Sequence, residues 1–100
     1  MFRTSLTAIA LTFTFTPANA ESGLASFYDG VGRSGEMTCA HRTRPIGSMV
    51  TVTYRGRTIR CLVNDRGPFV KGRVIDVSTS AARALGMLDA GVVMVSLEAD

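Results

Sequence analysis

The first 20 residues, "MFRTSLTAIALTFTFTPANA", most limit what this chain can fold into. They combine one positive residue, Arg3, with an apolar stretch and then Ala18-Asn19-Ala20. This is the pattern of a secretory signal peptide with an A-x-A cleavage site. The apolar stretch is shorter than the roughly 20 residues of a spanning helix, so a retained N-terminal anchor is the weaker alternative. We predict a signal peptide over residues 1–20 and a single domain over residues 21–100.

A domain of about 80 residues buries a limited share of its surface and needs additional stabilisation. Cys39 and Cys61 are the only two cysteines, and export would carry them into an oxidising compartment. If joined, they close a loop of about 23 residues, which is worth about 3 kcal/mol in the chain-entropy model. Two free buried thiols are the alternative. A zinc site is less favoured, because the two cysteines and His41 leave it one ligand short. We expect no metal and no cofactor.

Charge and targeting signals limit the partners. Removing Arg3 from the 11 basic residues leaves a net charge of +2 against 8 acidic residues, without a basic run. Nucleic acid is therefore a poor candidate, and a polyanionic cell-wall polymer is a better one. No cysteine follows the apolar stretch closely enough to carry a lipid. We expect a monomer that is periplasmic or secreted and soluble after signal removal, with no stable membrane anchor and no lipoprotein modification.

Alternating apolar residues predict a mainly β domain. "MVTVTYR" places Val50 and Val52 on one face, "TIRCLVN" returns with Cys61 among its core residues, and Gly56-Arg57 is the predicted turn of this hairpin. Shorter strands are predicted in "GLASFY", after the turn in "RSGEMTCAH", in "GRVIDVS" and in "GVVMVSLE".

A single short helix is predicted between the last two strands. Ser78 is its predicted N-cap, Ala81, Ala82 and Leu85 have helical spacing, and Gly86 lies near its end.

Acidic residues stand where the predicted strands end. Asp65 could be a turn residue that accepts backbone N–H bonds in "DRGP", or a general acid/base beside Phe69 and Arg66. Asp76 more simply anchors a loop, and a lone histidine such as His41 is more often structural. If the strands of Cys39 and Cys61 run parallel, His41 and Asp65 lie at one end and could share a cleft; if antiparallel, they diverge.

Three stretches carry a resemblance to a known family. "GLASFYDG", "SGEMTCAHRTRPIG" and "VNDRGPFVKGRVIDVSTSAARALGM" cover nearly all of the chain after the leader and resemble the rare-lipoprotein-A (RlpA) family of double-psi β-barrels. The resemblance implies a small six-stranded double-psi β-barrel with one short helix, related to the catalytic-like half of expansins. It also implies lytic cleavage of peptidoglycan glycan strands.

Carried over to this sequence, the resemblance implies roles for individual residues. It makes Asp65 the acid/base, with Glu36 and His41 as further catalytic residues. Asp76 matches the acid that precedes the helix in this family and in expansins. We further predict that Tyr28, Arg66 and Asp76 bind the substrate. Compared with the family, the segment between Glu36 and His41 is short, and no peptidoglycan-binding repeat or lipobox is seen.

The alternative function is a non-catalytic, expansin-like module that binds peptidoglycan or another polysaccharide. A small secreted inhibitor or effector is a third reading, which rests on size, export and the disulfide alone.

Overall fold

The computed structural model describes residues 20–28 and 35–99, so the predicted signal peptide lies, apart from Ala20, outside the described residues. Six strands and one helix follow in chain order: β1 Glu21–Tyr28, β2 Thr38–Ala40, β3 Met49–Tyr54, β4 Arg57–Asp65, β5 Arg73–Ser78, α1 Thr79–Leu85 and β6 Val93–Ala99. No helix in these two ranges is long and apolar enough to cross a membrane.

The six strands close into one barrel in the order β1-β5-β2-β4-β3-β6. The pairs β1–β5 and β2–β4 are parallel, and the other four pairs are antiparallel. Inward residues of all six strands fill the centre, with Val50, Val52 and Leu97 fully buried among them. The mainly β fold with a closed six-stranded double-psi barrel and one helix is thus confirmed.

The β3–β4 hairpin turns one residue earlier than the sequence predicted. Arg55 and Gly56 are the two turn residues, with φ of 47° and 77°, and Arg57 already pairs with Tyr54. Two-residue hairpin turns of this hand need positive φ at both central positions, and Gly56 supplies the second without steric cost. The prediction of Gly56-Arg57 was wrong because it would have placed a non-glycine residue at that second position.

Helix α1 begins and ends as its flanking residues predict. The Ser78 side chain accepts a hydrogen bond from the N–H of Ala81, which is the usual N-cap contact. Gly86 adopts the left-handed conformation at the other end and returns its N–H to the carbonyls of Ala82 and Arg83. Ala81, Ala82 and Leu85 form the buried side of the helix.

The predicted disulfide joins Cys39 of β2 to Cys61 of β4, with 5.9 Å between their Cα atoms. Both cysteines are fully buried in the core. Because β2 and β4 are parallel, the residues that follow the two cysteines run toward the same end of the barrel. His41 and Asp65 therefore lie at one end, which is the first of the two arrangements that the sequence left open.

Candidate active site

Two carboxylates lie in one row across the barrel. Ala40 of β2 pairs with Asp65 of β4 on one side and with Asp76 of β5 on the other. Asp76 in turn pairs with Ser26 of β1. Neighbouring strands are about 4.8 Å apart, so the backbones of Asp65 and Asp76 are separated by roughly 10 Å. We call Ser26, Asp76, Ala40 and Asp65 the carboxylate row.

A bulge brings Asp65 onto the same face as Asp76. Strict alternation from Val63, which is fully buried, would point Asp65 into the core. The pairing instead shifts from Cys39–Val63 to Ala40–Asp65, so that Asn64 is an extra residue on β4. One extra residue reverses the alternation. Asp65 is consequently only half-buried and lies on the outer face of the barrel with Asp76.

The Asp65 carboxylate is held at one oxygen. Its Oδ1 accepts a hydrogen bond of 2.8 Å from the backbone N–H of Arg66. The Arg66 guanidinium turns elsewhere and donates from one nitrogen to the carbonyls of His41 and Arg44, at 3.1 and 2.6 Å. In the part of the chain that the structure describes, no side chain forms an ion pair with Asp65.

Asp76 is fixed by its neighbour on β1. The Ser26 hydroxyl donates a hydrogen bond to Asp76 Oδ1. Arg73 lies 3.5 Å from the same hydroxyl, which it contacts through one guanidinium nitrogen. The serine thus contacts this carboxylate directly, and the arginine contacts the serine.

The Tyr28 hydroxyl completes the cluster. Tyr28 of β1 pairs with Ser78 of β5, two residues beyond the Ser26–Asp76 pair on both strands. The Tyr28 side chain therefore lies on the same face as Ser26 and Asp76. Its hydroxyl is buried and has no hydrogen-bond partner among the described residues. Burial raises the pKa of the Tyr28 phenol above its ordinary value of 10.0, and the negative charges of Asp65 and then Asp76 raise this pKa further. The phenol is thus a neutral O–H donor at ordinary pH.

His41 lies next to the row but points its ring away from it. The backbone N–H of His41 donates to the carbonyl of Asp65 at 3.1 Å. The ring is buried, and its Nδ1 accepts from the backbone N–H groups of Thr43 and Arg44 at 3.1 and 3.0 Å. Since Nδ1 accepts, the proton is on Nε2, which donates to the carboxylate of Glu21. The ring thus connects the loop after β2 to Glu21 at the start of β1.

Glu36 lies toward the other end of β2. It comes four residues before Ala40, so it is up to about 13 Å from the row at the rise of an extended strand. Its side chain is exposed, and its carbonyl accepts from the hydroxyls of Ser78 and Ser80 at 3.1 and 2.6 Å. The structure thus gathers Tyr28, Asp65 and Asp76 on one face. The Glu36 carbonyl is hydrogen-bonded to Ser78, the strand partner of Tyr28, and the His41 ring is turned to Glu21. Their roles remain predictions.

Two residues of this region were missed by the sequence analysis. Ser26 could have been found, because it precedes Tyr28 by two positions on a strand and so shares its face. Glu21 gave no such signal, since nothing local relates it to His41 twenty positions later. Within residues 20–28 and 35–99, no three His, Cys, Asp or Glu side chains lie close enough together to hold a metal ion.

Similarity to known proteins covers most of the chain. A family model described as "Lytic transglycolase" matches residues 20–97. The probable endolytic peptidoglycan transglycosylase RlpA of Nostoc sp. is 50% identical over 91 residues, which are 76% of this chain and 24% of that protein. RlpA of Pasteurella multocida is 45% identical over 92 residues, which are 79% of this chain and 31% of that protein. The chain thus spans about a quarter to a third of these relatives.

Solved structures share the barrel. An expansin of Clavibacter michiganensis superposes with a TM-score of 0.69 at 24% identity, over 81% of this chain and 50% of that one. A papain inhibitor of Streptomyces superposes with a TM-score of 0.66 at 27% identity, over 81% of this chain and 94% of that one. Together with the closed six-stranded barrel, these matches show that the chain belongs to the RlpA-like family of double-psi β-barrel domains, whose family model is described as "Lytic transglycolase".

Proposed function

We propose that this domain is a lytic transglycosylase that cleaves peptidoglycan glycan strands and leaves 1,6-anhydro-muramic ends. The observation that carries the proposal is the placement of Asp65: an outward, half-buried carboxylate held at one oxygen, in one row with Asp76 and near the Tyr28 hydroxyl. The relatives named as endolytic peptidoglycan transglycosylases support the choice of substrate.

Asp65 acts first as an acid and then as a base. In its protonated form it gives its proton to the glycosidic oxygen, and the bond from that oxygen to C1 of the muramic residue breaks. The resulting carboxylate takes the proton of the muramic 6-hydroxyl, whose oxygen attacks C1 and closes the 1,6-anhydro ring. The acid ends the cycle protonated, and no water is consumed. One carboxylate is sufficient, so the two-carboxylate spacing of hydrolytic glycosidases does not apply.

The neighbouring groups orient the sugar. The neutral Tyr28 phenol has a hydrogen to donate and no partner among the described residues. Its hydroxyl is buried, so it donates to a sugar oxygen only when a covering side chain moves aside. Asp76, fixed by Ser26, accepts from a sugar hydroxyl. Arg66 braces the loop that carries His41, which in turn sets the position of the Asp65 backbone.

Glu36 has a more distant part in this proposal. Its exposed carboxylate lies beyond β2 and contacts a glycan strand that runs along the outer face, rather than sharing the proton transfer at Asp65. The working partner is a peptidoglycan glycan strand, met in the periplasm or outside the cell after removal of the leader.

The test is the product. Residues 21–100 are incubated with sacculi from which an amidase has removed the stem peptides, and the soluble fragments are analysed by mass spectrometry. Fragments that end in 1,6-anhydro-muramic acid support the proposal. Strands that bind the protein in a pull-down but stay intact would contradict it and favour the non-catalytic binding module instead.

One observation favours a second candidate, protease inhibition. The Streptomyces papain inhibitor is matched over 94% of its length, so this chain has the size and fold of that whole protein. A titration of papain with the purified domain tests this directly. Tight, stoichiometric loss of protease activity would support inhibition, and unchanged activity at a large molar excess would remove this candidate.

A further inference from the structure

An aromatic side chain stands in solvent on the loop that follows Asp65. Phe69 is 81% exposed, and it is the most exposed of the described large hydrophobic residues. Moving an apolar surface of this size from water into a contact lowers the free energy, so covering the exposed phenyl ring with a ligand would be favourable. Single exposed apolar residues are common, and exposure alone does not define a site. The stronger observation is that the backbone around the Phe69 ring is held in place.

The ring rises from a buried base. Gly67 and Pro68, the two residues before Phe69, are both buried. Gly67 has a φ of 122°, which a residue with a side chain rarely adopts. A Cβ atom built on Gly67 would lie 3.7 Å from the edge of the Phe69 ring. The ring therefore lies back over the glycine with its remaining surface turned to solvent.

Both ends of the loop are fastened. At the start, the Arg66 guanidinium donates to the carbonyls of His41 and Arg44. At the end, the N–H of Arg73 donates to the carbonyl of Val70 at 3.1 Å, and the N–H of Leu24 donates to the carbonyl of Gly72 at 2.9 Å. A ring on a loop fastened in this way loses little conformational freedom when it meets a ligand.

The ring is close to the chemistry. Phe69 comes four positions after Asp65, so their Cα atoms are at most about 14 Å apart. This is the span of a few sugar units. A pyranose ring presents hydroxyls at its edge and C–H groups on its faces, and the C–H faces pack against aromatic rings. The exposed Phe69 ring can therefore pack against the C–H face of a pyranose ring.

We infer that Phe69 is a sugar-stacking platform, a subsite of the glycan-binding surface that seats a pyranose face next to the bond cleaved at Asp65. This inference rests on the proposed function and deepens it, because it assigns a recognition contact to an apolar side chain outside the carboxylate row. Phe69 positions the strand and takes no part in proton transfer.

Binding separated from turnover tests the inference. In the Asp65→Asn background, the affinity for peptide-free glycan strands is measured by calorimetry for Phe69, Phe69→Ala and Phe69→Trp. We expect about tenfold weaker binding for alanine and retained binding for tryptophan. Val70→Ala is the matched control, since Val70 is the exposed neighbour without a ring; we expect its affinity to change less than twofold. In the protein with Asp65 intact, Phe69→Ala should raise KM and leave kcat unchanged.

Equal affinity of the phenylalanine and alanine forms would overturn the inference while leaving the proposed function standing. If Phe69→Ala no longer binds anionic lipid vesicles but keeps the glycan affinity of the parent, the inference is also overturned, and the ring is assigned to a membrane surface. If no form binds or cleaves glycan, the inference and the proposed function both fail. Equal unfolding midpoints of all variants would show that the differences arise at the surface.

Discussion

Asp65 and Asp76 stand on opposite sides of a single residue of β2 and face the same side of the barrel. Two strand spacings separate their backbones by roughly 10 Å. The Tyr28 phenol, whose pKa both carboxylates raise, lies near enough to sense each of them. In the proposed function, Asp65 transfers the proton and Asp76 orients the sugar.

The phenol of Tyr28 should titrate above 10.0, because burial and the charges of Asp65 and Asp76 all disfavour the phenolate. The chain has two tyrosines and no tryptophan, so Tyr54→Phe leaves Tyr28 as the only phenol for an ultraviolet absorbance titration. In that background Asp65→Asn should lower the Tyr28 pKa, and Asp76→Asn should lower it less. An unchanged pKa in both variants would contradict the cluster.

Because the pKa of Tyr28 is raised on folding, the free energy of unfolding should vary with pH in the alkaline range. The raised pKa of Tyr28 means that its contribution to the free energy of unfolding is complete below the unfolded-state value of 10.0 and is lost as the pH rises through the folded-state value. Tyr28→Phe should remove this loss. Urea denaturation of the two proteins from neutral pH to the alkaline limit measures it, and parallel stability curves would contradict the expectation.

His41 should matter to stability more than its position beside the site suggests. His41→Ala removes the acceptor of two backbone N–H groups and the donor to Glu21, and we expect a loss of about 2 kcal/mol or more in the free energy of unfolding. Glu21→Gln should cost less, since it keeps an acceptor at a partly exposed position. Urea denaturation measures both.

The exposed Arg42 in the same loop supplies the control, and Arg42→Ala should leave stability nearly unchanged. A His41→Ala variant that is as stable as the parent protein but inactive would place the imidazole in the chemistry instead.

The disulfide should supply a large part of the stability. Cys39 and Cys61 are 22 positions apart, so the chain-entropy model gives a contribution of about 3 kcal/mol. The double variant with alanine at both positions should lose about that amount in chemical denaturation, and reductant should change the parent protein but not the variant. If reductant leaves the parent unaffected, the bridge does not constrain the unfolded chain.

Local patterns were enough for much of the fold. The alternation through Val50, Val52 and Cys61 predicted the hairpin, and Ser78 and Gly86 predicted both ends of the helix. The disulfide followed from there being only two cysteines in a chain predicted to be exported. These features depend on neighbours in sequence, or on a choice with few alternatives.

The site depended on contacts that local patterns do not contain. Alternation alone would have placed Asp65 in the core, and only the extra residue at Asn64 turns it outward. The pairing of Ser26 with Asp76 spans 50 positions, and the contact between Glu21 and His41 spans 20. Such contacts depend on the barrel order, which places β5 between β1 and β2 although it is distant from both in sequence. The exposure of Phe69 could not be predicted either, because an aromatic residue after Gly-Pro fits a core as well as a surface.

The most direct measurement of the central claim is the yield of 1,6-anhydro-muramic fragments from peptide-free sacculi for three proteins. These are the parent domain, Asp65→Asn, and Asp89→Asn, which changes an exposed aspartate in the turn before β6. The account predicts that Asp65→Asn lowers the yield at least about 100-fold, the usual scale for loss of a general acid/base, and that Asp89→Asn matches the parent. Undiminished yield from Asp65→Asn, with all three proteins equally folded, would contradict it.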